Sequence, residues 1–239
     1  MSFSLQVQLA VALNIYALVM ILARSWIYRV PVYRPMLKNF VLSVLPLILL
    51  VAAVALAALA SGLVSPILGV AVGVVGFLAW LLALPNSGYL ITELNLNHRR
   101  ENESVPLWYD IISVLTFAMS GVINTVLGIL AAQFAFVLAV YGDDNEAVEA
   151  LPVRAVGVIV IVLVTVGIYL GRYLRLNSWD VRSPTRMWTK FREHFDGWPQ
   201  IGNFALFCLT HTLFLLIVYG IVAGPVFEEI LHATTGDGS

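Results

Sequence analysis

Two apolar runs decide the fold: FVLSVLPLILLVAAVALAALA at residues 40–60 and PILGVAVGVVGFLAWLLAL at residues 66–84. They are separated by the short stretch 61–65, and neither run contains a charged side chain. Each is about 20 residues long, which is the length that an α-helix needs to cross the roughly 30 Å hydrocarbon core of a membrane. The two runs therefore predict a hairpin of membrane-spanning helices.

The composition extends this prediction to the whole chain. Of the 239 residues, 60% are hydrophobic and only 11% are charged, whereas about a quarter of the residues of a soluble domain are charged. Most of the surface must therefore face lipid. The net charge of -1 argues against a nucleic-acid partner, which would need a basic face. Cys208 has no disulfide partner because it is the single cysteine of the chain.

Four further apolar runs, at about 5–23, 108–140, 152–170 and 201–223, bring the number of predicted spans to six. The sequence thus predicts an all-α, polytopic transmembrane bundle that forms a single integral membrane domain over 1–239. The first run lacks a basic leader and a cleavage site, so we expect it to be retained as a span. The fourth is too long for one straight crossing. We expect a tilted helix that bends near Gly121 or Gly128 or projects past the membrane.

Basic residues lie almost entirely on one side of the predicted bundle. With six spans, the segments after spans one, three and five fall on the same side and contain four, two and six basic residues, which leaves only Arg154 on the other side. Lys-rich and Arg-rich loops stay in the cytoplasm. The sequence therefore predicts a multi-pass protein of the cell membrane with both termini outside and with membrane lipids as partners.

Small residues indicate close packing in the hairpin of spans two and three. Span two is rich in alanine, and span three carries Gly69, Gly73 and Gly76. Small residues four positions apart let helix backbones approach closely. We favour packing within one subunit. The alternative is a homo-oligomer, or a membrane-protein partner, bound through Gly69 and Gly73.

Residues 184–196 predict a short amphipathic helix on the cytoplasmic side. At 100° per residue, the apolar side chains fall within about one quadrant, whereas the charged ones lie off that face. This pattern is typical of a helix that lies along a membrane surface. Its simplest role is anchoring, and the alternative is a gate for access from the lipid. The apolar face consists of Met187, Trp188, Phe191, Phe195 and Trp198.

Three polar clusters stand at the cytoplasmic ends of spans, within residues 85–93, 106–110 and 171–180. Taken singly, each has an ordinary explanation as an aromatic belt, a helix-dipole contact or an arginine that reaches lipid phosphates. Together they place acids, arginines and amides at span ends that packing can bring together. This candidate polar ring contains Asn86, Tyr89, Glu93, Trp108, Asp110, Arg172, Arg175, Asn177, Trp179 and Asp180.

The ring has three interpretations. Carboxylates paired with arginines can form a structural latch. The same arginines can bind a phosphorylated headgroup or another small anion. In the third interpretation, Glu93, Asp110 or Asp180 acts as a general base.

Polar residues also lie deeper in the predicted spans. Asn124 is in the polar face of span four, and His211 is near the middle of span six. An ionisable residue inside a membrane is a functional candidate, here for proton relay or for lining a pathway. The alternative is a neutral histidine that hydrogen-bonds to a neighbouring helix, for example to Asn124 or Ser120.

No cofactor and no metal site are predicted. The four histidines share no ligand spacing, and the topology scatters them over different depths. The chain contains no nucleophile elbow, phosphate-binding loop or dinucleotide fingerprint.

The motifs LPNSGY at 84–89 with Glu93, LWYD at 107–110 and GRYLRLNSWD at 171–180 occur in this order. In this the chain resembles a family of polytopic membrane proteins of bacteria and archaea known as domain of unknown function 1361. The resemblance runs from about residue 84 to the end of span six. It implies a membrane protein and supports the choice of motif residues, and it implies no activity.

Three functions fit these observations. The leading hypothesis is a non-catalytic integral membrane protein whose polar ring binds a lipid headgroup or a small anion. The second is a small-solute or proton-coupled transporter that uses the polar face of span four and His211. The third is a membrane-interface enzyme that acts on a lipid-linked substrate.

Overall fold

The structure, a computed structural model, describes residues 3–95, 104–142, 145–174 and 183–236, and this part of the chain is helical without strands. The α-helices are α1 to α8 and the two 3-10 helices are η1 and η2. In chain order they are α1 (Phe3–Tyr28), α2 (Arg34–Leu63), α3 (Pro66–Ala83), α4 (Pro85–Gly88), η1 (Tyr89–Asn95), α5 (Leu107–Tyr141), η2 (Asn145–Glu149), α6 (Leu151–Tyr173), α7 (Pro184–His194) and α8 (Trp198–Gly236).

Six helical segments in the described part are long and apolar enough to cross a membrane, which confirms the predicted number of spans. They are α1, α2, α3 together with the helical turns that follow it, α5, α6 and α8. Several helices extend beyond the predicted apolar runs: α1 continues to Tyr28, and α8 begins at Trp198. The thickness of the hydrocarbon limits the apolar run, and polar residues outside it can remain helical.

Helix α3 ends at Ala83 with Leu84 as its C-cap, which agrees with the predicted end of the apolar run at Leu84. Pro85 interrupts α3, but the chain continues as the single turn α4 and then as η1 to Asn95. Proline removes one backbone donor, but it fits the first turn of a new helix, where that donor would have no partner. The proline therefore redirects the segment without ending its helical course.

Helix α5 forms the centre of the bundle. It is a single α-helix of 35 residues, and far more of it is buried than of any other span. At 1.5 Å per residue it is roughly 50 Å long, so it must tilt or project past the hydrocarbon. Gly121, which the sequence suggests as a site for a bend, is a close-packing position. A Cβ atom there would overlap the carbonyl oxygen of Ser87. The absence of a side chain lets α4 lie directly against α5.

The first turn of α1 and the later turns of α8 lie at the same end of the bundle. The ring of Phe3 packs edge-on against Phe134 near the end of α5, with centroids 5.5 Å apart, and Phe134 packs against Phe227 of α8 at 6.2 Å. Gln133 joins the same end, since its Nε2 donates to the carbonyl oxygen of Val153 at the start of α6. The ends of α1, α3 and α6 and the starts of α2, α5 and α8 lie at the opposite end.

The glycines of span three pack against α2 of the same chain. A Cβ atom on Gly69 would lie 2.6 Å from the Cβ of Ser61 and 2.9 Å from the carbonyl oxygen of Ala57. A Cβ atom on Gly73 would lie 3.5 Å from the Cβ of Ala57. Contacts within one subunit therefore account for the small residues of this hairpin.

Helix α7 occupies residues 184–194, two residues fewer than the predicted 184–196. Ser183 is at the N-cap position and Phe195 at the C-cap. The rings of Trp188 and Phe191 are stacked, with centroids 6.1 Å apart, and both are exposed. Their exposure on an otherwise charged helix is consistent with the amphipathic pattern in the sequence.

Substitution of Gly69 by alanine tests the packing of the hairpin. We expect Gly69→Ala to lower the free energy of unfolding by about 1–3 kcal/mol, because the new methyl group overlaps α2. Gly62→Ala is the matched control, since nothing lies within 4 Å of its added Cβ. The control should be neutral or stabilising by up to about 1 kcal/mol. Unfolding in mixed detergent micelles measures both, and equal stabilities would contradict the packing.

Candidate functional site

The turn α4 carries the first predicted motif into the middle of the bundle. Ser87 is fully buried, and its Oγ donates a 2.5 Å hydrogen bond to the carbonyl oxygen of Ser43 in α2. The ring of Pro85 occupies the space that a side chain at Gly167 of α6 would need. Asn86 is half-buried on the same turn. The motif thus joins α2, α5 and α6, and it fixes where η1 begins.

Asp110 forms a buried ion pair with Arg24. The Nε of Arg24, in the last turns of α1, donates to the Oδ1 of Asp110 at 2.8 Å, and the two side chains are 7% and 0% exposed. The adjacent Tyr109 donates its hydroxyl to the carbonyl oxygen of Met20 at 2.9 Å. Isolated charges are too costly to bury, so the pair requires α1 and α5 to stay together. Asp110 therefore has the geometry of a latch.

Glu93 faces α2. Its Oε1 accepts a hydrogen bond of 3.2 Å from the Nδ2 of Asn39, and both residues are half-buried. Within the described part of the chain, no basic side chain forms an ion pair with Glu93. If the polar ring were a latch, an arginine would pair with Glu93. In the structure the neutral amide of Asn39 makes this contact instead.

Arg172 faces η1 from the last turn of α6. Its Nη1 donates to the hydroxyl oxygen of Tyr89 at 3.5 Å, which is the long end of the hydrogen-bond range. Arg172 is half-buried. Among the described residues no carboxylate lies within ion-pairing distance of it. Arg172 is therefore a partly buried cation that makes one long hydrogen bond within the described part of the chain.

The ring residues that the structure describes do not gather in one cluster. Tyr89 points to α6, Glu93 points to α2, and Asp110 pairs with α1. Trp108 is exposed beside Tyr109, as in an aromatic belt. The remaining members of the ring lie outside the described residues: Arg175, Asn177, Trp179 and Asp180.

Asn124 is the centre of a second polar contact, near the middle of the bundle. It forms a reciprocal pair with Asn14 of α1, in which each amide donates to the other, at 2.8 and 3.0 Å. Its Nδ2 also lies 3.2 Å from the Oγ of Ser43. Asn124 is fully buried. These contacts join α1, α2 and α5 in a region where an unpaired polar group would be costly.

The alternative in which His211 hydrogen-bonds to a neighbouring helix, for example to Asn124 or Ser120, is not what the structure shows. The Nδ1 of His211 lies 2.9 Å from the carbonyl oxygen of Phe207 in its own helix, and its ring stacks on Phe207 at 3.7 Å. Asn124 bonds to α1 and α2 instead, and Ser120 bonds to a carbonyl oxygen of its own helix. His211 and Asn124 therefore lack the contact that a shared polar pathway would favour.

An aromatic cluster connects α7 to α6 and α8. The hydroxyl of Tyr169 lies 2.8 Å from the Nε2 of His194, the last residue of α7. The ring of Tyr169 also packs against Tyr173, Phe204 and Phe207, with centroids 4.5 to 5.3 Å apart. This cluster lies on the last two turns of α6, next to Arg172.

The described residues contain no group of three or more His, Cys, Asp or Glu side chains placed to hold a metal ion. Their polar side chains contact one another in small groups, such as Arg24 with Asp110 and Asn124 with Asn14 and Ser43. The chemistry that they offer is hydrogen bonding and charge pairing.

The six apolar helices and their buried polar contacts define a multi-pass integral membrane protein. The family described as protein of unknown function, DUF1361, matches residues 38–218, so the chain belongs to that family. The match confirms the resemblance seen in the motifs, and it begins earlier than expected because it includes the second span. No curated protein and no solved structure matches the chain.

Several of the polar partners could not be predicted from the sequence. Arg24 follows the first apolar run and contributes to the basic segment after it, but in the structure it lies in α1 and is buried. Asn14, Ser43 and Asn39 are isolated polar residues in or beside apolar runs, and that isolation was the available signal. A polar residue inside a span needs a partner, but its spacing in the sequence does not say on which helix the partner lies.

The Arg24–Asp110 pair can be tested by a double-mutant cycle. Arg24→Gln or Asp110→Asn alone should lower the free energy of unfolding by about 3–5 kcal/mol, because each removes the opposite charge that lies 2.8 Å from a buried charge. The double variant should lose less than the sum. Arg154→Gln breaks an exposed pair with Glu149, whose side chains are 60% and 53% exposed, and should cost at most about 1 kcal/mol. Additive losses would contradict the pairing.

The asparagine pair predicts an order of stabilities. Asn124→Ala should cost about 1 kcal/mol, which is typical of hydrogen bonds between membrane helices, because it removes the contacts with both Asn14 and Ser43. Asn14→Ala should cost less, and the double variant should be little worse than Asn124→Ala. Asn203→Ala, on an exposed part of α8, is the control. Denaturation in detergent distinguishes this order from independent effects, in which the two losses would add.

Proposed function

We propose that this protein is a non-catalytic integral membrane protein that binds a phosphate group, carried by a lipid headgroup or by a small anion, at Arg172. The observation that carries the proposal is the partial burial of the Arg172 side chain together with the small number of its contacts. Arg172 is half-buried, its described contact is a 3.5 Å hydrogen bond to Tyr89, and no carboxylate of the described part pairs with it.

A partly buried guanidinium group that has no carboxylate beside it is favourably placed to bind an anion. Removal from bulk water weakens its hydration, and an opposite charge offsets that loss. The planar guanidinium presents parallel donors that match two oxygens of a phosphate. The phenol of Tyr89 can add a third donor once its hydroxyl proton turns toward the ligand.

The contrast with the other charges at this end supports the choice of Arg172. Arg24 already has a carboxylate in the core, and Glu93 accepts from Asn39. A phosphate would be repelled by a free carboxylate, and Glu93 faces α2 rather than α6. Arg172 is thus the described ring residue whose charge and surroundings suit an anion.

The proposed site lies at the end of the bundle that the basic segments assign to the cytoplasm. We propose accordingly that both termini lie outside and that the membrane is the cell membrane. Helix α7 would lie along the cytoplasmic leaflet, with Trp188 in the interface and Lys190 and Arg192 toward the headgroups. The exposed rings of Trp188 and Phe191 support this placement.

Phosphorus analysis of the purified protein tests the proposal. Arg172→Gln should weaken retention of bound phosphorus by roughly tenfold or more, because a hydrogen bond to a charged group contributes about 1.5–3 kcal/mol. Arg172→Lys should retain part of it, since lysine keeps the charge but not the planar donors. Phosphorus per protein is measured after extended washing in mild detergent.

Arg154→Gln serves as the control because Arg154 is an exposed arginine at the opposite end of the bundle. It should leave phosphorus retention unchanged. Equal phosphorus contents in the wild type and the folded Arg172→Gln variant would overturn the proposed function. Total phosphorus counts lipid and soluble phosphate alike, so this result does not depend on the source of the ligand.

A further inference from the structure

An aromatic wall stands beside the proposed phosphate site. It consists of Tyr169 and Tyr173 of α6 with Phe204 and Phe207 of α8. The rings of Tyr169 and Tyr173 are 4.5 Å apart, and Tyr173 meets Phe207 edge-on at 5.8 Å. Tyr169 contacts both phenylalanines. The wall thus closes the seam between α6 and α8 at the level of the last turns of α6.

Arg172 and the wall share one side of α6. At 100° per residue, Tyr169 and Tyr173 lie within roughly 100° of Arg172 around the helix axis. Tyr173 is 54% exposed although its ring packs on two aromatic neighbours. The exposed ring of Tyr173 therefore adjoins a cation that has no carboxylate partner in the described part of the chain.

Helix α7 borders the same wall. His194 meets the hydroxyl of Tyr169 at 2.8 Å, and the ring of Phe195 packs on Phe204 at 5.3 Å. The polar tip of Tyr169 is thereby occupied, so the wall offers ring faces and edges rather than hydroxyl donors at this position. The exposed ring of Tyr173 lies at the contact between α6 and α8, two apolar helices whose outer faces would meet lipid.

We infer that the ligand of the Arg172 site is a glycerophospholipid of the surrounding membrane, with its phosphate at Arg172 and the upper part of an acyl chain against Tyr173 and Phe207. This inference rests on the proposed function and adds the class and the source of the ligand. A soluble anion would contact the guanidinium and leave the exposed ring of Tyr173 in contact with nothing but its surroundings. A lipid uses both surfaces, since its charged and apolar parts are covalently joined.

Three probes separate the contributions of head and tail. They are phosphatidylglycerol, which has both, glycerol 3-phosphate, which has no tails, and diacylglycerol, which has no phosphate. Native mass spectrometry of the delipidated full chain in detergent gives the occupancy of each. We expect phosphatidylglycerol to bind at least roughly 100-fold more tightly than glycerol 3-phosphate, because acyl burial adds to the phosphate contact.

Variants assign each contribution to a surface. Arg172→Gln should weaken phosphatidylglycerol binding by roughly tenfold and leave diacylglycerol binding unchanged. Tyr173→Ala should weaken phosphatidylglycerol by roughly threefold to tenfold and leave glycerol 3-phosphate unchanged. Trp26→Ala, an exposed aromatic residue at the same end of the bundle, is the matched control and should change neither.

The outcomes distinguish the two proposals. Suppose that glycerol 3-phosphate binds as tightly as phosphatidylglycerol, and that Arg172→Gln weakens the binding of both whereas Tyr173→Ala weakens neither. The lipid inference is then overturned, and the proposed function stands. If Arg172→Gln changes no probe, or diacylglycerol binds as tightly as phosphatidylglycerol, the proposed function fails and the lipid inference fails with it. Arg172→Lys and the unfolding temperature of each variant separate loss of the site from loss of the fold.

Discussion

The close approach of the Pro85–Gly88 turn to α2, α5 and α6 is the constraint on which the rest of the bundle depends. An interrupted helix cannot face hydrocarbon, because its freed backbone groups would lack partners. The chain places the interruption inside the protein, with Ser87 bonded to Ser43 and the turn packed where Gly121 and Gly167 leave room. From there η1 runs along α5. Its residue Tyr89 contacts Arg172 of α6 on one side, and its residue Glu93 contacts Asn39 of α2 on the other. The geometry of the candidate site thus follows from where the third span is broken.

Most buried polar side chains of the described part serve the packing of helices. Arg24 and Asp110 join α1 to α5, Asn14 and Asn124 join the same helices deeper in the bundle, and Gln133 joins α5 to α6. Each contact satisfies groups that the membrane cannot hydrate. Arg172 differs because its described contact is a long hydrogen bond to a neutral phenol. This difference is the reason for proposing Arg172, rather than the polar residues that join helices, as a ligand contact.

Hydropathy predicted the six spans because the thickness of the hydrocarbon sets a length that can be counted along the chain. It could not predict which polar residues pair, since partners are far apart in sequence: Arg24 and Asp110 are separated by 86 positions, and Asn14 and Asn124 by 110. The interruption at Pro85 was visible, but its continuation as η1 depends on support from α5. The alternative of a hydrogen bond from His211 to span four is not observed. The imidazole ring instead contacts Phe207 of its own helix, both through the carbonyl oxygen and by ring stacking. Motif spacing located Arg172 and Tyr89 at two span ends, and packing decided that they meet.

We propose that Arg172 is held for an anion from outside the chain. An experimental density map of the protein in a lipid bilayer can test this proposal. We expect phosphate density at charge-assisted hydrogen-bonding distance, about 2.7–2.9 Å, from the Arg172 guanidinium, with Tyr89 beside it. A map in which Arg172 instead forms a closed ion pair with a carboxylate of the protein, with no density for a ligand, would contradict it.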